Sequence, residues 1–203
     1  MGNNDNFEIE VKFFVGAHEP IREVLKREGA ALEKERVHER NVVFDTADFQ
    51  LKKAQKLLRL RQDERVRLTV KAPAPKEVQA QSEAKVREEL EVELSDFATA
   101  EKMLTRLGFD PKLVYEKYRE TWQIGAVEVV LDEMPYGNFI EFEGPEADLK
   151  PLAAQMGINW SKRILTNYLA LFVQAKEAAE LNFNDLTFEN FEAAEFDGAD
   201  LWA

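Results

Sequence analysis

The sequence predicts an α+β protein built on an eight-stranded antiparallel β-barrel, with charged side chains lining the lumen and helices packed outside. Three observations predict it. Apolar and charged residues alternate with a period of two along about eight segments. The charged face of each segment carries acids, bases or both at two-residue spacing, and helical periodicity appears in only a few places. A single alternating strand reads most simply as a half-buried sheet with its charged face in water. Taken together, the strands leave too few helices to cover so many apolar faces. Closing the sheet with the charged faces inward is the topological alternative, and about eight strands is a number at which small barrels close.

In chain order, Phe7, Ile9, Val11 and Phe13 share one strand face and leave Glu8, Glu10 and Lys12 on the other. Val42 to Asp45 is a second strand. Leu58 and Leu60 then alternate with Arg59 and Arg61, and Val66, Leu68 and Val70 with Arg65, Arg67, Thr69 and Lys71. Leu90, Val92 and Leu94 oppose Arg87, Glu89, Glu91 and Glu93, while Tyr118 and Trp122 oppose Lys117, Arg119 and Thr121. Val129 and Leu131 oppose Glu128 and Asp132. After the turn signal Pro135-Tyr136-Gly137-Asn138, Ile140 and Phe142 alternate with Glu141 and Glu143. Helices are expected over Glu19 to Gly29, from the N-cap Asp96 to Gly108, over Leu149 to Met156, and from about Ser161 through Phe172. Pro73 to Ser82 reads as a loop.

Composition narrows the classes. The chain of 203 residues is 45% hydrophobic and holds no cysteine, which excludes disulfides, thiolate metal sites and cysteine nucleophiles. Met1 to Asp5 is polar with no apolar stretch behind it, and 18 apolar residues never run together. The expectation is a soluble, cytoplasmic protein with neither a membrane nor a nucleic acid as partner. The net charge of −12 is uneven: residues 176–203 hold one lysine and eight acids, so the body carries only −5. Residues 1–175 read as one domain and 176–203 as an acidic, aromatic-containing C-terminal extension.

A lumen of mixed charge costs roughly several kcal/mol for each poorly paired buried ion, so a ligand must help to neutralise it. Guanidinium and ammonium groups suit phosphate oxygens. Carboxylates suit hard cations, and Mg²⁺ or Mn²⁺ bridging carboxylates to phosphates is the usual way to hold both signs together.

Glu8-Ile9-Glu10-Val11-Lys12 resembles the Glu-x-Glu-x-Lys signature of the CYTH domain, or triphosphate tunnel metalloenzymes. Ordered companions strengthen the resemblance: Val43-Phe44-Asp45-Thr46, Leu58-Arg59-Leu60-Arg61, Lys71, Arg87-Glu88-Glu89-Leu90-Glu91, Lys117-Tyr118-Arg119, Asp132 and Phe139-Ile140-Glu141-Phe142-Glu143-Gly144. It spans about Phe7 to Phe172. Val43 and Ala47 depart from the common aromatic and proline, away from any charged position.

The resemblance implies an eight-stranded triphosphate tunnel and activity on triphosphates, as class IV adenylyl cyclase, thiamine triphosphatase or inorganic triphosphatase. It implies Glu8, Glu10, Glu141 and Glu143 as metal ligands, with Asp132 and one of Glu89 or Glu91 as further candidates. Arg59, Arg61, Lys71, Lys117 and Arg119 would form the phosphate cradle, with Arg40 and Arg163 as weaker candidates at the rim. Lys12 would bind a phosphate or help to place the nucleophile, and Glu8 and Glu10 would share the catalytic work.

Water attacking a terminal phosphorus makes a triphosphatase; a ribose 3′-hydroxyl attacking the α-phosphorus of ATP makes a cyclase. Hydrolysis of a small triphosphate (tripolyphosphate or thiamine triphosphate) demands less of the site and is the expectation. A non-catalytic polyphosphate-binding module would have no need of the acidic pairs. Neither His18 nor His38 matches a motif position, and both read as surface or loop residues. The extension keeps Phe183, Leu186, Phe188, Phe191, Phe196, Leu201 and Trp202. It is expected to wrap the outside of the barrel, the alternatives being a cover for a tunnel mouth or the contact of a homodimer.

Overall fold

The computed structural model describes residues 7–192, 194, 196 and 198–202; the polar segment Met1 to Asp5 lies outside the described residues. Eight strands form the fold: β1 (Phe7–Val15), β2 (Ala31–Asp45), β3 (Leu57–Gln62), β4 (Val66–Pro73), β5 (Lys85–Leu94), β6 (Asp110–Ile124), β7 (Val127–Met134) and β8 (Gly137–Glu143). They close in the order β1-β5-β4-β3-β2-β6-β7-β8, and β8 pairs back onto β1. Every neighbouring pair is antiparallel. Helices α1 (Glu19–Arg27), α2 (Gln50–Lys53), α3 (Lys76–Gln79), α4 (Phe97–Arg106), α5 (Glu146–Gln155), α6 (Tyr168–Ala178), α7 (Phe188–Glu192) and α8 (Ala199–Trp202) complete the chain.

Period-two alternation decides which side of the wall each residue meets. The outward faces of β1, β7 and β8 place Val11, Phe13, Val129, Leu131, Ile140 and Phe142 against Leu25 of α1 and Leu149 of α5, all almost wholly buried. Val42, Phe44, Leu58 and Leu60 pack outward beneath Ala100 and Leu104 of α4. Each such side chain contributes about 1.5–3 kcal/mol by leaving water. The helices that cover them start on definite signals: Pro20 opens α1, and the Asp96 carboxylate accepts from the Thr99 N–H at 2.6 Å to cap α4.

A third apolar cluster lies on the inward side of the wall. Tyr115, Met134 and Phe139 belong to the faces that elsewhere carry Lys117, Asp132 and Glu141, and they meet Tyr168, Leu171 and Phe172 of α6 together with Leu186 and Phe191 of the extension. Trp202 adds its ring to Phe139 at 5.8 Å and to Phe14 at 6.1 Å. The extension therefore closes one end of the barrel, while its Phe188 packs on the outward Tyr118 and His38 at 5.1 and 6.4 Å, so the expected wrapping of the outside holds only in part. Apolar side chains at that end of the lumen could be buried in no other way.

The C-terminal segments also mend the wall. At the closed end β6 runs beyond its pairing with β7, and Leu186 fills the exposed edge: its N–H donates to the Val114 carbonyl and its own carbonyl accepts from the Glu116 N–H, both at 2.8 Å. Ile164 does the same for β1, donating to the Lys12 carbonyl at 2.8 Å. The helix expected from Ser161 consequently starts later. Trp160–Lys162 is a single 3-10 turn, and α6 begins only after Asn167 caps it by accepting from the Ala170 N–H at 2.9 Å.

Two other expectations change. The Pro73 to Ser82 loop contains the short α3. His18 is buried, its Nε2 3.0 Å from the Phe139 carbonyl, whereas His38 is partly exposed and packs on Tyr118.

Candidate active site in the lumen

Three wall segments read from charged to apolar in the same direction, whereas the inward face of β5 is charged from Lys85 to Glu93. The inward face of β1 runs Glu8, Glu10, Lys12, Phe14; that of β8 runs Glu143, Glu141, Phe139; and that of β6 runs Arg119, Lys117, Tyr115, Leu113. The lumen thus has a polar mouth near Glu8 and Glu143 and an apolar floor whose centre is Tyr168.

Just above the floor lies a basic cradle. Lys117 and Arg119 converge on Asp132, which is wholly buried: Arg119 donates to its two oxygens at 2.7 and 2.6 Å, Lys117 at 3.0 Å and the Tyr168 hydroxyl at 2.9 Å. Burial alone would raise the Asp132 pKa, but Arg119 and Lys117 hold it below the ordinary carboxylate range. Across the lumen Arg61 donates to Glu39 at 3.3 Å and to the Asn41 side-chain oxygen at 3.2 Å. Arg59 donates to the Tyr115 hydroxyl at 3.2 Å and to Thr69 at 3.1 Å.

Burial, reinforced by Arg119, lowers the affinity of Lys117 for its proton; burial and Arg59 do the same to Arg61. The cradle is crowded with positive charge. Its hydrogen bonding is also incomplete: Arg59 Nε, Asn41 Nδ2 and Glu39 Oε2 are buried without a hydrogen-bond partner, although Lys117 lies 3.7 Å from that Glu39 oxygen. Such groups are costly unless a ligand completes them.

The mouth has the opposite imbalance. Glu143 is pushed up to about 8 by burial and then by the neighbouring Glu8 and Glu128. Glu8 is raised by burial and by Glu10, although Lys71 donates to both its oxygens at 2.6 Å. Against the effect of burial, Glu10 is drawn down to about 2 by Lys12 and Lys85 and Glu89 is lowered by Lys71, so the surplus of negative charge is confined to Glu8 and Glu143.

Lys12 joins the two regions. Its ammonium lies 3.1 Å from Glu141 and 3.6 Å from Glu10, and it faces the Tyr168 ring at 4.9 Å. These carboxylates hold its pKa above the usual lysine value against the effect of burial. Glu141, which burial would raise, is drawn down to about 2 chiefly by Lys12 and, further, by Arg119 and Lys117.

Residues 6–155 match the family model of the CYTH domain. The chain belongs to the CYTH domain family. A provisionally named adenylate cyclase of Methanocaldococcus jannaschii is 26% identical over 144 residues, which cover 70% of this chain and 79% of the relative. Among solved structures, a provisionally named adenylate cyclase from Vibrio parahaemolyticus superposes with a TM-score of 0.72 at 20% identity, covering 82% of this chain and 98% of its own. A Hippeastrum protein, described as a provisional adenylyl cyclase with a dominant triphosphatase activity, superposes with a TM-score of 0.57 at 17% identity, covering 83% and 95%. At those identities the two structures show the shared fold.

Of the residues singled out in this CYTH sequence, Glu8, Glu10, Lys12, Arg59, Arg61, Lys117, Arg119, Asp132 and Glu141 come together in the lumen, with Lys71, Glu89 and Glu143 beside the mouth. Glu91 bonds Thr69 at 2.7 Å and is more exposed than Glu89. Arg40 and Arg163 stay outside the cluster. Arg40 has the parity of Val42 and extends over the Phe97 ring of α4 on the outer wall. Arg163 donates to the Glu83 and Trp160 carbonyls.

Four lumen residues escaped the reading: Glu39, Asn41, Lys85 and Tyr168. Counting back by twos from Val43 would have found Glu39 and Asn41, and counting back from Arg87 would have found Lys85, which pairs with Glu10. The position of Tyr168 follows only from the closure of the floor.

The mouth offers oxygen donors alone, the set that Mg²⁺ and Mn²⁺ prefer, and its excess of negative charge calls for a cation. Among the described residues no three carboxylates converge on one point as they stand. The Lys71 and Lys85 ammoniums lie against Glu8 and Glu10 where an ion would have to enter. The donor chemistry fits a divalent ion, provided those two lysines move aside.

Proposed function

We propose that this chain is a divalent-metal-dependent hydrolase of small triphosphates, with inorganic tripolyphosphate as its first substrate. One observation carries the reading: a single lumen juxtaposes a cation-rich cradle with unpartnered donors and a carboxylate-rich mouth short of positive charge. A polyphosphate chain with its metal ion is complementary to both.

Arg59, Arg61, Lys117 and Arg119 would bind phosphate oxygens in the cradle, and the free Arg59 Nε and Asn41 Nδ2 supply donors without rearrangement. Lys12, between cradle and mouth, would sit beside the bond that breaks and neutralise charge on the departing oxygen. Glu8, Glu10, Glu141 and Glu143 would hold Mg²⁺ or Mn²⁺, with Glu89 as a further oxygen donor; Asp132, expected as another, has both oxygens taken by Arg119, Lys117 and Tyr168 and would orient the cradle instead. When bound, the metal supplies charge neutralisation on the phosphate and acidifies water.

A water at the mouth forms the new P–O bond to the terminal phosphorus at the mouth end of tripolyphosphate, whose other end lies in the cradle, as the bridging P–O bond breaks. Its proton passes to a mouth carboxylate, and Glu8 and Glu143 are the two whose proton affinity lies near neutrality. Orthophosphate and pyrophosphate are the products. The Hippeastrum neighbour's dominant triphosphatase activity supports this choice.

The naming of the Methanocaldococcus relative as an adenylate cyclase favours a second reading, in which a ribose hydroxyl replaces water and attacks the α-phosphorus of ATP. Purified protein with Mg²⁺ or Mn²⁺, given tripolyphosphate, thiamine triphosphate and ATP in turn, distinguishes them. Orthophosphate release fastest from tripolyphosphate is the expected result; cyclic AMP and pyrophosphate from ATP would establish the cyclase instead.

A further inference from the structure

The closed floor bears on which triphosphates can enter. Tyr168, Phe139 and Tyr115 cross the lumen directly below the cradle and are nearly or wholly buried. Behind them Phe172, Leu186 and Phe191 form a second layer, with Phe183 stacked on Phe172 at 6.0 Å. The layer is tightly fitted, since a β-carbon at Gly198 would collide with the Tyr136 carbonyl. The two wall edges through which a chain could slip sideways at this level are those filled by Ile164 and Leu186. At the opposite end the acidic residues Glu89 and Glu91 keep 23% and 31% of their side-chain surface in solvent.

From this asymmetry we infer that the lumen is a blind socket that accepts a phosphate chain only by a free terminus. The terminal phosphate goes in first, to the Arg59 and Asn41 donors above Tyr168, and any organic substituent stays outside at the mouth. A triphosphate with a bulky organic group at both ends has no way in, and a longer polyphosphate can engage only by its end.

The inference rests on the triphosphate reading, and the experiment separates the two. The full chain in a chelating buffer, where metal-dependent turnover is arrested, is titrated by calorimetry with inorganic tripolyphosphate, ATP, diadenosine triphosphate, and ATP methylated on its terminal phosphate. The last two carry the same charge. Tripolyphosphate and ATP are expected to bind in competition, and diadenosine triphosphate at least about tenfold more weakly than the methyl ester, whose small cap costs far less space.

Diadenosine triphosphate binding as well as the methyl ester would overturn the blind socket, because charge and not the wall would then account for any loss. Failure of tripolyphosphate itself to bind would bring down the triphosphate reading and this inference with it. As a second measure, Tyr168→Ala, with its fold checked by circular dichroism, should narrow the gap between diadenosine triphosphate and the methyl ester. An unchanged gap in the folded variant would remove Tyr168 from the wall.

Discussion

The mouth is built on β1, β4, β5 and β8 and the cradle on β2, β3, β6 and β7, from the same residue types, yet the carboxylates at the two extremes shift in opposite directions. In the cradle Asp132 and Glu39 are each held by at least two cations and are depressed below the ordinary carboxylate range. At the mouth Glu8 and Glu143 are raised, by burial and then by neighbouring carboxylates, whereas Glu10, held by Lys12 and Lys85, is drawn down to about 2. Burial opposes ionisation in both places, so the sign of the shift is decided by the ratio of neighbouring cations to anions. A charged lumen is affordable when one half is over-supplied with cations and the other with anions, because a ligand carrying both signs settles the two together.

The largest effect should come from breaking the mouth. Glu10→Gln removes a carboxylate from the proposed metal set, and metal-dependent phosphate release from tripolyphosphate should fall by about 10²–10³-fold. Metal-free binding of tripolyphosphate, measured by calorimetry, should survive. Loss of both together would mean that mouth and cradle are not separate regions.

Breaking the cradle acts first on stability. Asp132→Asn strands Lys117 and Arg119 beside each other and should cost about 3–5 kcal/mol in urea unfolding. A cost within error would show that the pair is solvated and the lumen wet throughout.

The pH dependence sharpens the comparison. Glu143 has a folded-state pKa of about 8, above its unfolded value, so its contribution to stability is fully present below the unfolded pKa and is lost as pH rises through about 8. Glu39 is depressed, so its contribution is present above the unfolded pKa and is lost as pH falls below it. In a chelating buffer the protein should weaken towards both extremes, and Glu143→Gln should flatten the alkaline limb alone. Thermal melts across pH test this, and an unaltered alkaline limb would contradict it. The smallest effect is expected from Arg40→Ala and Arg163→Ala: both lie outside the lumen, and turnover should stay within about twofold, in keeping with ordinary surface substitutions.

Much of this was legible in the residues because a closed antiparallel wall keeps the parity of each strand from end to end. Glu8, Glu10 and Lys12 could be placed on one face before any pairing was known, and so could Arg59 with Arg61 and Glu141 with Glu143. Parity failed where it was interrupted. In β2 the register against β6 shifts between Leu32 and Lys34 and again between Lys34 and Val37, within a stretch charged on both faces. The alternation became readable only from Val42, and Glu39 was missed while its outward neighbour Arg40 was chosen.

The extension was illegible for another reason. Helices of four or five residues such as α7 and α8 carry no usable period, and Phe191 or Trp202 would suit the outer wall as well as the floor. Only the inward apolar residues Phe14, Phe139 and Tyr115, far away in the chain, determine which of the two they meet. The start of α6 was similarly decided by the tertiary pairing of Ile164 with Lys12, which withdrew Ser161 to Asn167 from the helix.

The patching of β1 and β6 by Ile164 and Leu186 has a consequence for how the molecule is made. Each of these two strands takes its last main-chain partner from a segment later in the chain. Until Ile164 and Leu186 are in place, β1 and β6 carry bare edges of the kind that recruit other strands, so clipping just before Leu186 bares the β6 edge and yields a species prone to self-association.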